Sequence, residues 1–472
     1  MKRPLRFIAT VLTLLAFTFM FPAALLAQWE PNRNISPNAM SAALNENANQ
    51  CIAVSGDTLH VVYSDHRSNG WAIYYTQSPD SGNTWSTPMP ITDTTGKASM
   101  PSIAVNGLTV HVTWMDSISG HRASYYKRSL DGGVTWGNNV VLDSTTDWWP
   151  GVATSGALVV ATINKNAAVG NSEVFYIISP DSGHTWGTEQ RLTNAPGRSE
   201  DPAIAIKDSS VNLSWNDNRN GPMEIYYCHS ANAGGTWGPQ MALTSSDSYS
   251  SMVCVDDTNV DVPFGFTISS FLQVNLRQSP DTGGNFAPIQ QLTNAPVIEL
   301  YPYMVRDGLN LHLVYLKFGA GGGPWYLHSD DGGVNWYPTD SLGTGGQPFI
   351  AYTGCTLHVI WPDSGAIHYR RNPTGNCAMV TGIAPLSQGE GPGVRLYPNP
   401  FSTQTTIEIS SSQKVDNAEL KVYNVLGQEM ISKNFESDGK IILKRNEMNS
   451  GMYFYRVFQK SDFIATGKML IE

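Results

Sequence analysis

The 472-residue chain carries a formal net charge of -10 with only 14% charged residues and no basic stripe, which sets nucleic acid aside and asks for no strongly charged partner of either sign. Its 43 glycines, 28 prolines, 13 tryptophans and 20 tyrosines suit many short strands joined by tight turns, with few helices. The length allows a large core plus a second domain. Residues 1–27 open with Lys2, Arg3 and Arg6, continue through an apolar run over 7–21 and end on Ala27. This is the pattern of a secretory signal peptide cleaved before Gln28, a residue that accepts no lipid. No later apolar run approaches the length of a membrane span, so no transmembrane segment is expected after cleavage.

From Cys51 to Asn376 the chain repeats itself. Copies of an eight-residue turn begin at Ser78, Ser129, Ser179, Ser230, Ser279 and Ser329, in steps of 51, 50, 51, 49 and 50 residues. Such a period marks a repeat architecture. In Ser129-Leu130-Asp131-Gly132-Gly133-Val134-Thr135-Trp136 the Asp is placed to accept backbone N–H bonds in a tight turn, the glycines tolerate positive φ, and the Trp packs sideways. Ahead of each turn lie three strands: a short apolar one such as Ile103-Ala104-Val105, an alternating one such as Val110-His111-Val112-Thr113-Trp114, and one bearing an aromatic pair such as Tyr125-Tyr126. The Trp or Phe that ends the turn is expected to open a fourth.

There are seven copies of the three strands and six of the turn, because the chain after Tyr369 lacks it. Residues 29–36, Trp29-Glu30-Pro31-Asn32-Arg33-Asn34-Ile35-Ser36, resemble the stretch that follows each turn and would supply the missing strand. The expected fold of residues 28–376 is therefore a seven-bladed β-propeller closed by its own N-terminus. The five cysteines, Cys51, Cys228, Cys254, Cys355 and Cys377, are odd in number and form no CxxC pair, so neither a zinc site nor another metal or cofactor is expected. They are read as buried free thiols, with a Cys51–Cys355 disulfide between neighbouring units as the alternative.

The six turns resemble the Asp-boxes of sialidase-like (BNR-repeat) proteins, with Asn232 replacing the Asp and Phe286 the Trp in two of them. In that family the boxes are structural and lie away from the active site. The resemblance implies an Arg triad for a sugar carboxylate, a Tyr nucleophile assisted by a Glu, and an Asp acid/base. This chain has no Arg-Ile-Pro tripeptide before its first box, and it counts seven units where sialidases have six blades.

Candidates lie on the face opposite the boxes. Arg67, in Asp65-His66-Arg67, and Arg219, in Asp217-Asn218-Arg219, sit in equivalent hairpins, where each either reaches an acidic ligand or pairs with its own Asp. Glu299 and Tyr301 place a carboxylate beside a phenol at the start of an inner strand, with Asp116 or Asp201 as acid/base. Equally, Tyr301-Pro302 repeats Trp149-Pro150 and Asp201-Pro202 as a strand entry. Trp148, Trp149 and Tyr301 offer rings on which sugars stack, and Arg122, Arg198 and Arg306 add cations nearby without an obvious acidic partner. The leading expectation is binding of an extracellular glycan or glycoprotein, with an exo-sialidase-like glycoside hydrolase as the alternative.

After Asn376 the composition changes. Residues 377–394 hold Gly382, Pro385, Gly389, Gly391, Pro392 and Gly393, a flexible linker, and 395–472 read as a small antiparallel β-sandwich. This tail resembles the type IX secretion sorting domain through Tyr397-Pro398-Asn399-Pro400-Phe401, Val422-Tyr423-Asn424-Val425-Leu426-Gly427-Gln428, Ser450-Gly451-Met452-Tyr453 and Gly467-Lys468 in that order. The resemblance implies engagement of the type IX machinery and a location outside a Gram-negative cell or on its surface.

Overall fold

The computed structural model describes residues 29–45, 49–67, 70–117, 122–145, 147–168, 171–319, 321–376, 394–397, 401–409, 415–424, 429–437, 440–445, 448–459 and 462–471. The expected signal peptide, Cys377, almost all of the expected linker, and the central residues of the Tyr397-Pro398-Asn399-Pro400-Phe401 and Val425-Leu426-Gly427 motifs lie outside them. The described residues are all-β and contain no helix.

The chain divides into two units, Met1–Thr381 and Gly382–Glu472. Among the described residues of the first unit the strands form seven antiparallel sheets, none closed on itself. The first sheet shows the plan: Ile52–Ser55, Thr58–Arg67, Gly70–Ser78 and Met89–Pro90 pair in sequence order. The alternating polarity of the second strand does not show in its burial, since His60, Val61, Val62 and Tyr63 are all enclosed, the strand being covered on both faces. The seventh sheet takes Phe349–Thr353, Thr356–Asp363 and Ala366–Asn372, and its outer strand is Arg33–Asn34 from the other end of the chain. Arg33 pairs with Tyr369 and Asn34 with His368. Each first strand packs on that of the next sheet, and Phe349–Thr353 returns to Ile52–Ser55.

The fourth strands are shorter than the sequence suggests. Trp85 and its equivalents stand outside any strand, and the outer strand of the first sheet is only Met89–Pro90. Packing explains the difference, because in five of the six turns the ring is drawn onto a tyrosine of the preceding sheet; Trp336, which faces a sheet with Leu276 at that position, instead bonds Gly333 O through its indole N–H. Trp136 meets Tyr75 edge-on at 5.1 Å, Trp186 meets Tyr126 at 4.8 Å, Trp237 meets Tyr176 at 5.2 Å and Phe286 meets Tyr227 at 5.0 Å. Trp85 meets Tyr369 of the seventh sheet at 4.9 Å. Trp29 completes the series on Tyr326 at 5.1 Å, in the place of the absent seventh turn.

Within the turns, the Ser129 hydroxyl donates to Asp131 at 2.7 Å and accepts from Gly133 N–H at 2.8 Å, while Asp131 accepts from Thr135 N–H at 2.8 Å. Bonds from Thr135 hold the exposed Asp131 carboxyl down at about 2. Gly133 has φ 90°, and a Cβ there would lie 2.0 Å from the Tyr75 hydroxyl. Its glycine answers both the turn and the neighbouring sheet. Behind those tyrosines stand buried histidines: His60, His111 and His312 bond Tyr75, Tyr126 and Tyr326 through Nδ1 at 2.7 Å, and His358 bonds Tyr369 at 2.8 Å. In the fourth sheet Asn212 accepts from the Tyr227 hydroxyl at 2.6 Å.

Cys51, Cys228 and Cys254 are free, so the Cys51–Cys355 alternative is excluded, and Cys355 is instead disulfide-bonded. Burial pushes the Cys51 thiol up to about 12, and its sulfur is enclosed beside Asn45 and Pro101.

The second unit has a sheet of Val394–Tyr397, Gln404–Ile409 and Lys440–Lys444, and a sheet of Glu429–Ser437, Val415–Asn424, Gly451–Gln459 and Asp462–Ile471. Phe401, Ile407, Leu420, Val422, Leu443 and Met469 form one buried cluster between them.

Candidate functional site

The six turns lie at one end of the sheets, each bonded to the hairpin joining first and second strands, as Gly132 N–H is to Leu108 O at 2.8 Å. The opposite end collects the hairpins between second and third strands and the entries to the first strands. There the backbone does something regular. Met100, Trp149, Asp201, Ser250 and Tyr301, one from each of five consecutive sheets, have φ between 47° and 60°. In four of them a proline follows, and in those four the register shifts, between Ser99 and Ser102, Trp148 and Gly151, Glu200 and Ala203, and Leu300 and Tyr303. A bulge of this kind re-aims the side chain it carries, and a left-handed non-glycine residue ahead of proline is a strained choice.

Four of the five meet, three of them ahead of a proline. Trp149, Asp201 and Tyr301, with Asn216, Tyr249, Ser250, Leu272 and Leu300, line a depression of about 370 Å3 shared by the third to sixth sheets. Asn216 Nδ2 donates to Asp201 Oδ2 at 2.8 Å, and Asn216 Oδ1 is buried without a hydrogen-bond partner. Burial, with the Glu200 charge beside it, raises the Asp201 carboxyl to about 7. The site therefore offers aromatic faces, an unmet acceptor and one carboxyl poised near neutrality. Its lining includes no basic side chain.

The other expected residues are placed elsewhere. Arg67 Nε bonds Asp65 Oδ2 at 2.6 Å over the Tyr74 ring, and Arg219 holds both oxygens of Asp217, at 2.8 and 2.5 Å, over Tyr226. Both follow the pairing alternative. Asp65 and Asp217 are fully buried, so the arginines serve chiefly as their counter-charges. Glu299 is buried next to Lys317 at 3.3 Å and is absent from the lining that holds Tyr301. Arg198 lies 3.4 Å from Glu200 and is half exposed. Arg306, expected without an acidic partner on the candidate face, sits beside the turn at Gly308 near the other end, buried in a two-bonded pair with Asp261 at 2.5 and 2.9 Å. Trp148 pairs with Asn164 through its backbone. Arg122 and Asp116 line a separate depression between the first and second sheets.

Sequence reasoning missed Tyr249, Ser250 and Asn216. Ser250 holds the repeat position of Asp201 and Tyr301, but without a following proline nothing in the sequence draws attention to it. Among the described residues no group of three or more His, Cys, Asp or Glu is placed to hold a metal ion, and no helix is long and apolar enough to cross a membrane.

Residues 395–472 match a secretion system C-terminal sorting domain, so the protein is exported by the type IX route to the cell surface or beyond. No curated protein matches the chain. Of solved structures, a polysaccharide lyase, an ulvan lyase, is similar at 11% identity with TM-score 0.51, over 71% of this chain and 95% of that one. The phage phi92 endosialidase is similar at 10% identity and TM-score 0.48, over 93% and 87%. The Trypanosoma rangeli sialidase is similar at 9% identity and TM-score 0.42, over 92% and 88%. At 11% identity the likeness to the lyase speaks for the fold alone. Residues 20–262, about half of the chain, match the BNR repeat-like domain, and the chain belongs to that family of sialidase-like β-propellers.

Proposed function

We propose that residues 28–376 form a seven-bladed propeller that binds an extracellular carbohydrate in the depression lined by Trp149, Asp201 and Tyr301, and that residues 395–472 fold as a β-sandwich serving as its export address. The observation that carries this reading is the convergence of three strained strand entries from three sheets on one partly aromatic depression. Rings supply faces for the apolar side of a sugar, while Asp201 and Asn216 Oδ1 accept from its hydroxyls. The absence of a basic group from this lining favours a neutral sugar there. A glycan array probed with the purified chain, followed by calorimetry on the best ligand, tests it. Trp149→Ala and Tyr301→Ala should each weaken binding about tenfold or more with the fold intact. A blank array, or a ligand indifferent to both changes, refutes the reading.

A glycosidase remains the second reading, because a carboxyl raised to about 7 suits a general acid at neutral pH. Tyr301 would then be the nucleophile, and the sialidase form would call on Arg67 and Arg219. Hydrolysis of fluorogenic sialosides and other glycosides decides it. Activity that falls with Asp201→Asn and Tyr301→Phe supports catalysis, and a blank panel dismisses it.

A further inference from the structure

A second depression opens on the same end of the molecule. It holds about 660 Å3 and is lined by Trp71, Lys97, Met100, Met115, Asp116 and Arg122 among others. We propose that it binds one anionic sugar unit, through carboxylate or sulfate, independently of the Trp149 depression.

The backbone that carries Trp71 and Lys97 is tied by hydrogen bonds. Trp71 and Lys97 form a parallel bridge, with Trp71 N–H on Gly96 O at 3.0 Å and Ala98 N–H on Trp71 O at 3.2 Å. The loop lies so close that a Cβ on Gly70 would come 2.7 Å from Gly96 O. His66 meets the Trp71 indole edge-on at 5.5 Å and helps fix its plane. Asp116 Oδ1 accepts the backbone N–H groups of Lys97 at 3.0 Å and Ser117 at 2.7 Å, so this carboxylate anchors the loop that presents the lysine. Met100 and Met115 add apolar lining.

The charge pattern selects the ligand. Two cations and one backbone-bonded carboxylate leave the lining one unit positive, whereas the Trp149 depression has no basic lining residue. Lys97 is exposed and lines the depression. A hexose carrying an anionic group fits within such a volume, with its apolar face on the indole and its anion towards Lys97 and Arg122.

Calorimetry with the full mature chain tests the proposal, using trigalacturonate, its fully methyl-esterified counterpart and a κ-carrageenan tetrasaccharide. One of the two acidic probes should bind at least tenfold more tightly than the neutral ester, and less tightly as salt is raised. Lys97→Gln and Arg122→Gln should each weaken that binding about tenfold, while Trp149→Ala leaves it unchanged. The last arm separates this site from the one above, so either can fail alone. Equal binding of ester and acid, no binding of either acidic probe, or binding indifferent to Lys97→Gln overturns the proposal. If Arg122→Gln unfolds the chain, the Lys97→Gln result decides.

Discussion

Acid should loosen this propeller through its histidines. His60, His111 and His358 are fully enclosed, and burial lowers the first two to about 4 and the third to about 3. Each folded value lies below the ordinary 6.5, so the unfolded chain takes the proton first. The stability contributed is complete above pH 6.5 and is lost as pH falls towards the folded values. At pH 5 each site lies about 1.5 units below 6.5, which at about 1.4 kcal/mol per unit costs about 2 kcal/mol. Three sites then cost about 6 kcal/mol, a large share of the stability of an ordinary domain. Asp201 and Glu189, both raised to about 7, act in the opposite sense and make the wild-type slope shallower. Comparison with a variant cancels them. Asn212 already fills the equivalent position against Tyr227, so His60→Asn, His111→Asn and His358→Asn together should keep the tyrosine bonds and remove the titration. Urea unfolding at pH 7.5 and pH 5.0 measures it: the triple variant should lose about 6 kcal/mol less than wild type over that interval. Equal losses in the two proteins would refute the reasoning.

The remaining predictions concern packing. Gly133→Ala should cost at least about 2 kcal/mol in chemical unfolding, since positive φ and the Tyr75 hydroxyl both oppose a Cβ, whereas Gly156→Ala, with φ 57° and nothing within 4 Å, should cost about 1. Trp29→Ala removes the ring that closes the circle on Tyr326 and should lower stability by about 2–3 kcal/mol, with proteolysis appearing first near residues 29–36. Arg219→Ala strands the buried Asp217 and should cost about 3 kcal/mol in unfolding experiments while leaving glycan affinity unchanged in calorimetry. A loss of affinity with unchanged stability would return Arg219 to the binding site.

How far the sequence could be read differs between fold and site. The repeat, its three apolar strands and the likeness of residues 29–36 to the segment after each turn were all legible, because each depends on local pattern. The destination of the turn tryptophans was not. Trp136 looks able to begin a strand, and only the position of Tyr75, some sixty residues earlier, pulls it onto the neighbouring sheet. For the site, the equivalence of Trp149, Asp201 and Tyr301 was visible as a residue before proline. That the three face one depression depends on the bulges and on the circular order of the sheets, which no local pattern encodes.

The arginines mark the same boundary. An Asp two residues before Arg67 or Arg219 offers a partner within reach, and the structure takes it. Arg306 offers no such local clue, since Asp261 is brought to it from the neighbouring sheet. By itself, the sequence determined what short-range chemistry dictates: an all-β chain of repeats, tight turns built on Ser, Asp and Gly, and a tail with an export address. Tertiary structure alone decided which side chains from different sheets share a cavity, because a propeller orders its sheets around an axis and brings together residues that lie fifty or a hundred positions apart.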